Sequence, residues 1–387
     1  MDKRTLLALR DDARLRLDEG ACLPLRSHFG QCRACESACP VHVISVSVER
    51  VTVADGCTSC GRCVAACPNE ALQLDGFESL ATVPAGYGTV ELECAKVPGN
   101  LRSAESITVP CLGGISAGQI AELNERAGER GLILIDRGWC GLCTAGCGTA
   151  HPAQAAVETV SLWLGTIWGR DGSGPAAPRI IDRHLPQSLM PAEIPLAEPA
   201  HDPSPALTRR QFFRTLAENP AGRPRTPMGG NGRAAYPASM RRESPERRRL
   251  LNALAAAAQR RQTQVPAEFY PRITNDGACA DHRVCTAACP TGALKVVATD
   301  GAATLTVSAA ACIACGACTR ACPEGALSLD AHGGDPTPIV IALHEQQVCS
   351  LCGDVFSPKA GETTCLTCTK SRRFIGDAMS QLFGART

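Results

Sequence analysis

Aromatic residues are scarce in this chain: three tryptophans, three tyrosines and eight phenylalanines among 387 residues. A chain of that length forms roughly two to four domains. With so little aromatic bulk, their cores must come from small aliphatic side chains and from something other than side chains. Long apolar runs are missing as well; the longest fall far short of the roughly 20 residues that cross a bilayer, so no membrane span is expected. Charge of one sign is not in excess: 39 lysines and arginines face 38 aspartates and glutamates, and a net charge of +1 selects no class of partner. Met1-Asp-Lys-Arg-Thr-Leu-Leu7 runs into charged sequence without a signal peptide's apolar region or cleavage site, which points to the cytoplasm. A nucleophile–base constellation, a glycine-rich nucleotide loop and a flavin fingerprint are all lacking, so no independent catalytic activity is expected. Cysteine alone is abundant, with 24 residues. In a reducing compartment such a number means metal ligands, not disulfides.

The cysteines are ordered. Cys57-Thr-Ser-Cys60-Gly-Arg-Cys63-Val-Ala-Ala-Cys67-Pro68 reads C-x2-C-x2-C-x3-C-P. Three thiolates on one tight turn can hold three corners of a cubane [4Fe–4S] cluster, while the fourth points away toward a second cluster. Pro68 lacks an amide donor and pushes the residue before it out of helical geometry. A zinc knuckle or unpaired thiols would explain one C-x2-C, but four cysteines at this spacing with the proline favour a cluster. The pattern recurs inside the chain. Cys39-Pro-Val-His-Val-Ile-Ser-Val, Cys67-Pro-Asn-Glu-Ala-Leu-Gln-Leu, Cys289-Pro-Thr-Gly-Ala-Leu-Lys-Val and Cys322-Pro-Glu-Gly-Ala-Leu-Ser-Leu each give a cysteine, a proline, a turn and a short alternating strand.

On these motifs both ends of the chain, roughly Cys22–Asp75 and Cys279–Asp330, resemble bacterial dicluster ferredoxins. The resemblance implies two modules, each an internal duplication, with the clusters serving as core where so few residues cannot bury enough apolar surface. The family's crossed pattern gives one cluster to Cys57, Cys60, Cys63 and Cys39. The other takes Cys32, Cys35 and Cys67, and its missing corner falls on Phe29; Cys22, upstream in a longer loop, is the substitute, unless it is a small buried hydrophobe beside an incomplete cluster. In the second module Cys312, Cys315, Cys318 and Cys289 complete one cluster. Cys279, Cys285 and Cys322 leave a corner at His282, where either imidazole binds iron or the corner stays empty as [3Fe–4S]. Three or four [4Fe–4S] clusters follow.

The rest of the chain is read from periodicity. Residues 1–20 suggest a short amphipathic helix with Leu6, Leu9, Ala13 and Leu17 on one face. Thr89–Cys94, Ile107–Cys111 and Leu132–Asp136 read as strands, Ser116 caps a helix carrying Ile120, Leu123 and Ala127, and Ala153–Trp168 is a covering helix. Strand–helix–strand implies a small parallel sheet with its site beyond the carboxyl ends of the strands. Cys94, Cys111, Cys140 and Cys143 should converge there, with Cys147 as a spare ligand, on a [2Fe–2S] or [4Fe–4S] cluster; the alternatives are buried thiols or a Cys140–Cys143 dithiol for exchange. The layout is similar to the small iron–sulfur subunit of methanogen hydrogenase complexes. Residues 171–245, with 13 prolines, predict an extended, mobile linker. Thr208–Arg214 matches a twin-arginine motif without the apolar segment that export requires. Leu207–Gln262 carries 13 arginines and three glutamates. Interleaved aromatics are missing, so nucleic acid is disfavoured and a basic tether for acidic ferredoxin-like surfaces preferred. Pro245–Arg261 reads as a helix. Finally Cys349-x2-Cys352 and Cys365-x2-Cys368 resemble a zinc ribbon, with mononuclear iron or a further cluster as alternatives, closed by a helix from Phe374 to Phe383 packed on it.

The expected architecture is α+β and multidomain. Dicluster modules at 1–80 and 246–345 flank an α/β domain at 84–170 and the linker 171–245, with a zinc-ribbon-like knuckle at 346–387. The expected function is electron transfer, as a carrier or wire for a redox partner or a larger oxidoreductase such as a molybdenum or tungsten enzyme or a hydrogenase. The rival readings are a redox-sensing regulator or scaffold and a maturation factor using the dithiol.

Overall fold

The computed structural model describes residues 6–9, 14–83, 86, 88–146, 151–168, 177–192, 241–299, 301–358 and 361–383. Near the start, Leu15-Arg-Leu17 alternates apolar and polar residues, and the alternation is read as a strand, not a helix. β1 (Leu7–Ala8) pairs antiparallel with β2 (Leu15–Leu17), so the helix expected over residues 1–20 is replaced by a hairpin; Ala13 lies outside the described residues. The reason is tertiary: a partner strand further on offers a period-two face that buries Leu15 and Leu17 together, and such burial outweighs local helix propensity. After α1 (Leu23–Arg26) and α2 (Ala34–Ser37), β3 (Ile44–Val46) and β4 (Val51–Val53) form a hairpin. α3 (Arg62–Ala65) then leads to β5 (Leu72–Leu74), the partner of β2 in the register Leu15↔Leu74 and Leu17↔Leu72.

The middle of the chain forms a four-stranded parallel sheet. β6 (Val90–Cys94), β7 (Ile107–Val109), β8 (Leu132–Asp136) and β9 (Arg179–Asp182) stand in the order β7-β6-β8-β9. β6, β7 and β8 confirm three expected strands. β9 falls inside the stretch expected to be linker: Ile180 and Ile181 pair with Leu134 and Ile135, too short an apolar run between Pro178 and Pro186 to stand out in the sequence. Residues 193–240, with the twin-arginine motif and most of the basic stretch, lie outside the described residues. α4 (Ala117–Ala127) starts on a capping box, Ser116 accepting from Gln119 N–H and the Gln119 side chain accepting from Ser116 N–H.

α5 (Gln154–Trp168) and α6 (Pro245–Arg260) complete the helical layer. Ala253, Leu254, Ala257 and Ala258 of α6 share one buried core with Ile120 and Leu123 of α4, Leu164 and Trp168 of α5, and Leu92 and Leu134 of the sheet. Small alanines let α6 approach closely. Its Glu246 carboxylate accepts from Gly118 N–H (2.7 Å) at the start of α4, and its Arg260 pairs with Glu125 near α4's end, so the two helices run side by side in the same direction.

Beyond α6 the pairing of the first module is repeated. β10 (Arg272–Asn275) and β13 (Leu327–Asp330) are antiparallel, as are β11 (Leu294–Thr299) and β12 (Ala302–Val307), with α7 (Val284–Ala288) and α8 (Ala317–Ala321) between them. β14 (Ile339–Glu345) adds a third strand to the hairpin. A small hairpin of β15 (Gln347–Val348) and β16 (Val355–Phe356) precedes α9 (Leu366–Phe383). This last helix begins earlier than expected and takes in Cys368, and it is not packed down at its expected start: Phe374 and Ile375 are 75% and 60% exposed. No described helix is long and apolar enough to cross a membrane.

Candidate metal centres

The four cysteine–proline repeats converge on one backbone shape. The third residue after each motif-ending cysteine has a left-handed φ: His42 (51°), Glu70 (48°), Gly292 (71°) and Gly325 (66°). This turn reverses the chain from the cysteine into the alternating strand that follows. Within the motifs, Ser59 and Gly61 bracket Cys60 with left-handed φ of 51° and 77°, and Ala314 and Gly316 bracket Cys315 with 51° and 66°. Three cysteines on one loop thereby face a common centre.

The cysteines of the two outer regions gather in four groups. Cys39, Cys57, Cys60 and Cys63 line one recess of about 330 Å³. Cys22, Cys32, Cys35 and Cys67 line a second of about 390 Å³, so the cysteine outside the motif stands where the missing corner belongs. Cys279, Cys285 and Cys322 line a third of about 370 Å³ with His282, whose Nε2 lies 2.9 Å from Glu324 Oε1. Cys289, Cys312, Cys315 and Cys318 form the fourth group: burial, followed by the nearness of Cys289, Cys312 and Cys315, pushes the Cys318 thiol up to about 12. Burial likewise pushes Cys22 up to about 12, with Cys67, Cys35 and Cys32 adding to it, and Cys35 up to about 11. Cys63 rises still further, by burial and then by Cys60, Cys35, Cys57 and Cys39. Thiols crowded and buried in this way resist ionisation by themselves; a cation that replaces their protons removes the conflict. Amides already aim at several sulfurs, Ala71 N–H at Cys67 Sγ (3.2 Å) and Ala314 N–H at Cys312 Sγ (3.4 Å).

In the parallel sheet, Cys94 ends β6, Cys111 follows β7, and Cys140 and Cys143 follow β8. All four line one recess beyond the carboxyl ends of these strands. Cys147 lies outside the described residues. Two further residues belong here that the cysteine pattern could not reveal. Trp139 lines the recess, is 4% exposed, and its buried Nε1–H has no partner among the described residues. His151 brings a ring nitrogen within 4.8 Å of ligand atoms of Asp136 and Cys140, and its Nε2 is buried without a partner. In the Cys39–Cys63 recess the buried hydroxyl of Thr58 is also unpartnered. Orphan donors in cysteine-lined recesses fit a cluster whose sulfurs accept hydrogen bonds.

At the far end Cys349, Cys352, Cys365 and Cys368 bring their sulfurs within 4.8 Å of one another. Cys365 N–H donates to Cys349 Sγ at 3.2 Å, and this amide with that of Cys352 holds the Cys349 thiol down to about 6. Four such sulfurs suit one tetrahedral ion.

The sites adjoin one another. Cys60, Cys111 and Cys143 belong to one buried cluster, and a Cβ on Gly114 would stand 2.7 Å from Cys60 O, so only glycine permits this approach. Arg320 of α8 donates to Cys315 O and to Phe29 O, both at 2.8 Å, tying the second module to the Cys32 loop. Arg242 N–H donates to Pro290 O (3.2 Å) and Ser244 Oγ–H to Pro68 O (2.7 Å), so two cysteine–proline corners from different modules are held by two residues with a single residue between them. Ser357, next to β16, donates to Asp281 Oδ2 (2.7 Å) beside His282.

A comparison of the chain with curated proteins finds no match. Comparison with family models does: residues 30–72 and residues 263–327 each match the 4Fe-4S dicluster domain, one match in each of the two cysteine-repeat regions.

Proposed function

We propose that the chain is an electron wire: five cysteine-lined iron–sulfur sites in a row, with a zinc knuckle at one end. In this reading residues 1–80 and 246–345 carry the four ferredoxin-type sites, 84–170 the fifth, and 346–387 the knuckle. The clusters would supply one-electron transfer. What carries the reading is continuity. The sheet-end site meets the Cys39–Cys63 site through Cys60 and Cys111, and within the first module Cys63 is close enough to Cys35 to raise its thiol. Arg320 links the first module to the Cys289–Cys318 site, and Cys285, Cys289, Cys312 and Cys318 then share one core. A scattered set of structural metal sites would not need to touch in sequence.

The rival readings find less support. Thiol exchange needs a thiol of lowered pKa, whereas burial, then Asp136, pushes Cys140 up. A nucleic-acid arm needs free cations, and among the described arginines of the basic stretch Arg242 pairs with Asp18, Arg249 with Glu70 and Glu122, and Arg260 with Glu125. The wire would serve a redox partner or a larger oxidoreductase, of molybdenum, tungsten or hydrogenase type, in a reducing cytoplasm.

Anaerobic purification with iron, sulfide and zinc analysis tests this. We expect about 17 to 20 irons and one zinc per chain, with magnetically interacting centres on reduction. Fewer than about eight irons, or zinc alone, would end the two-module reading.

A further inference from the structure

His282 occupies the position of the second cysteine of its motif, and the backbone around it is the informative feature. Asp281 and Arg283 have left-handed φ of 51° and 59°, matching Ser59 and Gly61 around Cys60 and Ala314 and Gly316 around Cys315. Neither residue is glycine, so both hold this conformation against a steric cost that their surroundings must offset. Those surroundings are visible. The Arg283 guanidinium donates to the Asp281 carboxylate (2.8 Å), and Ser357 from the knuckle donates to the same carboxylate (2.7 Å). The first repeat of the chain, ending at Cys39, behaves differently. Where its first cysteine is lost to Phe29, Arg33 has relaxed to φ −130°, and the corner is taken over by Cys22. A loop that gives up its native corner therefore reorganises, and the 279–285 loop has not.

We propose that His282 is the fourth ligand of this centre, beside Cys279, Cys285 and Cys322, with Nδ1 to iron and Nε2–H donated to Glu324. The inference rests on the reading of this module as cluster-bearing. Glu324, two residues past Cys322, stands behind the imidazole in the way that carboxylates orient ligating histidines. A neutral imidazole in place of a thiolate removes one negative charge from the ligand set. An added electron is then easier to hold, as it is where histidines replace cysteines in Rieske centres. One electron arriving from the Cys289–Cys318 site would come to rest here, with no bond made or broken, so this end of the row is the electron sink of its module.

The full chain, prepared anaerobically with 15N-histidine and reduced, provides the test by pulsed electron paramagnetic resonance. We expect a histidine nitrogen strongly coupled to one centre in the unmutated chain, a readout that needs no variant to fold. Coupling should vanish in His282→Cys, whose centre should titrate at lower potential, and in His282→Ala, which should show a three-iron signal when oxidised. Clusters present in this module without nitrogen coupling, and with spectra and potentials unchanged in both variants, would overturn the inference while leaving the wire standing. Absence of iron from the module, seen as unchanged iron content in both Cys318→Ser and Cys285→Ser, would overturn both.

Discussion

A buried cysteine is ordinarily a small apolar side chain, and in this protein neighbouring sulfurs make it something else. Cys22 shows the difference: it stands outside the repeated motif, yet its thiol, like that of Cys35, is raised first by burial and then by the nearness of Cys67 and Cys32. Replacing Cys22 by serine should remove one cubane, about four irons per chain, while Cys22→Ala in a chain already lacking Cys35 should remove no more. Iron content and the reduced spectrum read this directly. Trp139 offers a second test at this scale, because its buried Nε1–H lines the sheet-end recess without a partner among the described residues. A donor aimed at sulfur favours the reduced, more negative state, and a hydrogen bond to a charged group is worth about 1.5 to 3 kcal/mol. Trp139→Phe keeps the ring, so it should lower the potential of the sheet-end centre without loss of iron, as measured by redox titration. The motif cysteines were legible because iron–sulfur loops fix their spacing. Trp139 and His151 were not, because a hydrogen-bond donor brought in by the fold leaves no spacing to read.

Helix α6 was legible as a helix and illegible as a neighbour. Ser244, Pro245 and the leucine spacing announce its start and its apolar face, but nothing in the sequence says that this face lies against α4 across more than a hundred residues of intervening chain. Its arginines are basic for internal reasons. Arg247, itself partly buried, donates to the carbonyls of Phe269, Ala309 and Ala310. Arg247→Met should destabilise the chain by about 2 to 3 kcal/mol and speed proteolysis between residues 262 and 272, checked by thermal unfolding and limited digestion. The strands misread or missed, β2 and β9, share one cause. Each is three or four residues long, and so short a segment takes its identity from the strand beside it rather than from its own period.

Across the whole molecule, two kinds of core coexist. Where α4, α5 and α6 cover the sheet, the core is aliphatic with a few aromatic side chains and no cysteine among its buried residues, whereas the cores of both ferredoxin-like regions, and the small cluster at the sheet's end, include the sulfurs themselves. Stripping iron with a chelator under mild oxidation should therefore unfold the two outer regions and leave α4, α5 and α6 in place. Circular dichroism would show most of the helical signal retained while amide exchange rises in β2, β5, β10 and β13. Cys349→Ser should cost one zinc per chain and no iron, measured by elemental analysis.

Arg242 and Ser244 grip the carbonyls of Pro290 and Pro68, each the residue next to a cysteine of a different site. Electron tunnelling decays exponentially with the gap it crosses, so a small change in separation alters the rate out of proportion to the change in structure. In the proposed wire Arg242 and Ser244, just ahead of α6, would therefore work as a spacing gauge, holding the Cys67 and Cys289 corners at a separation set by two hydrogen bonds.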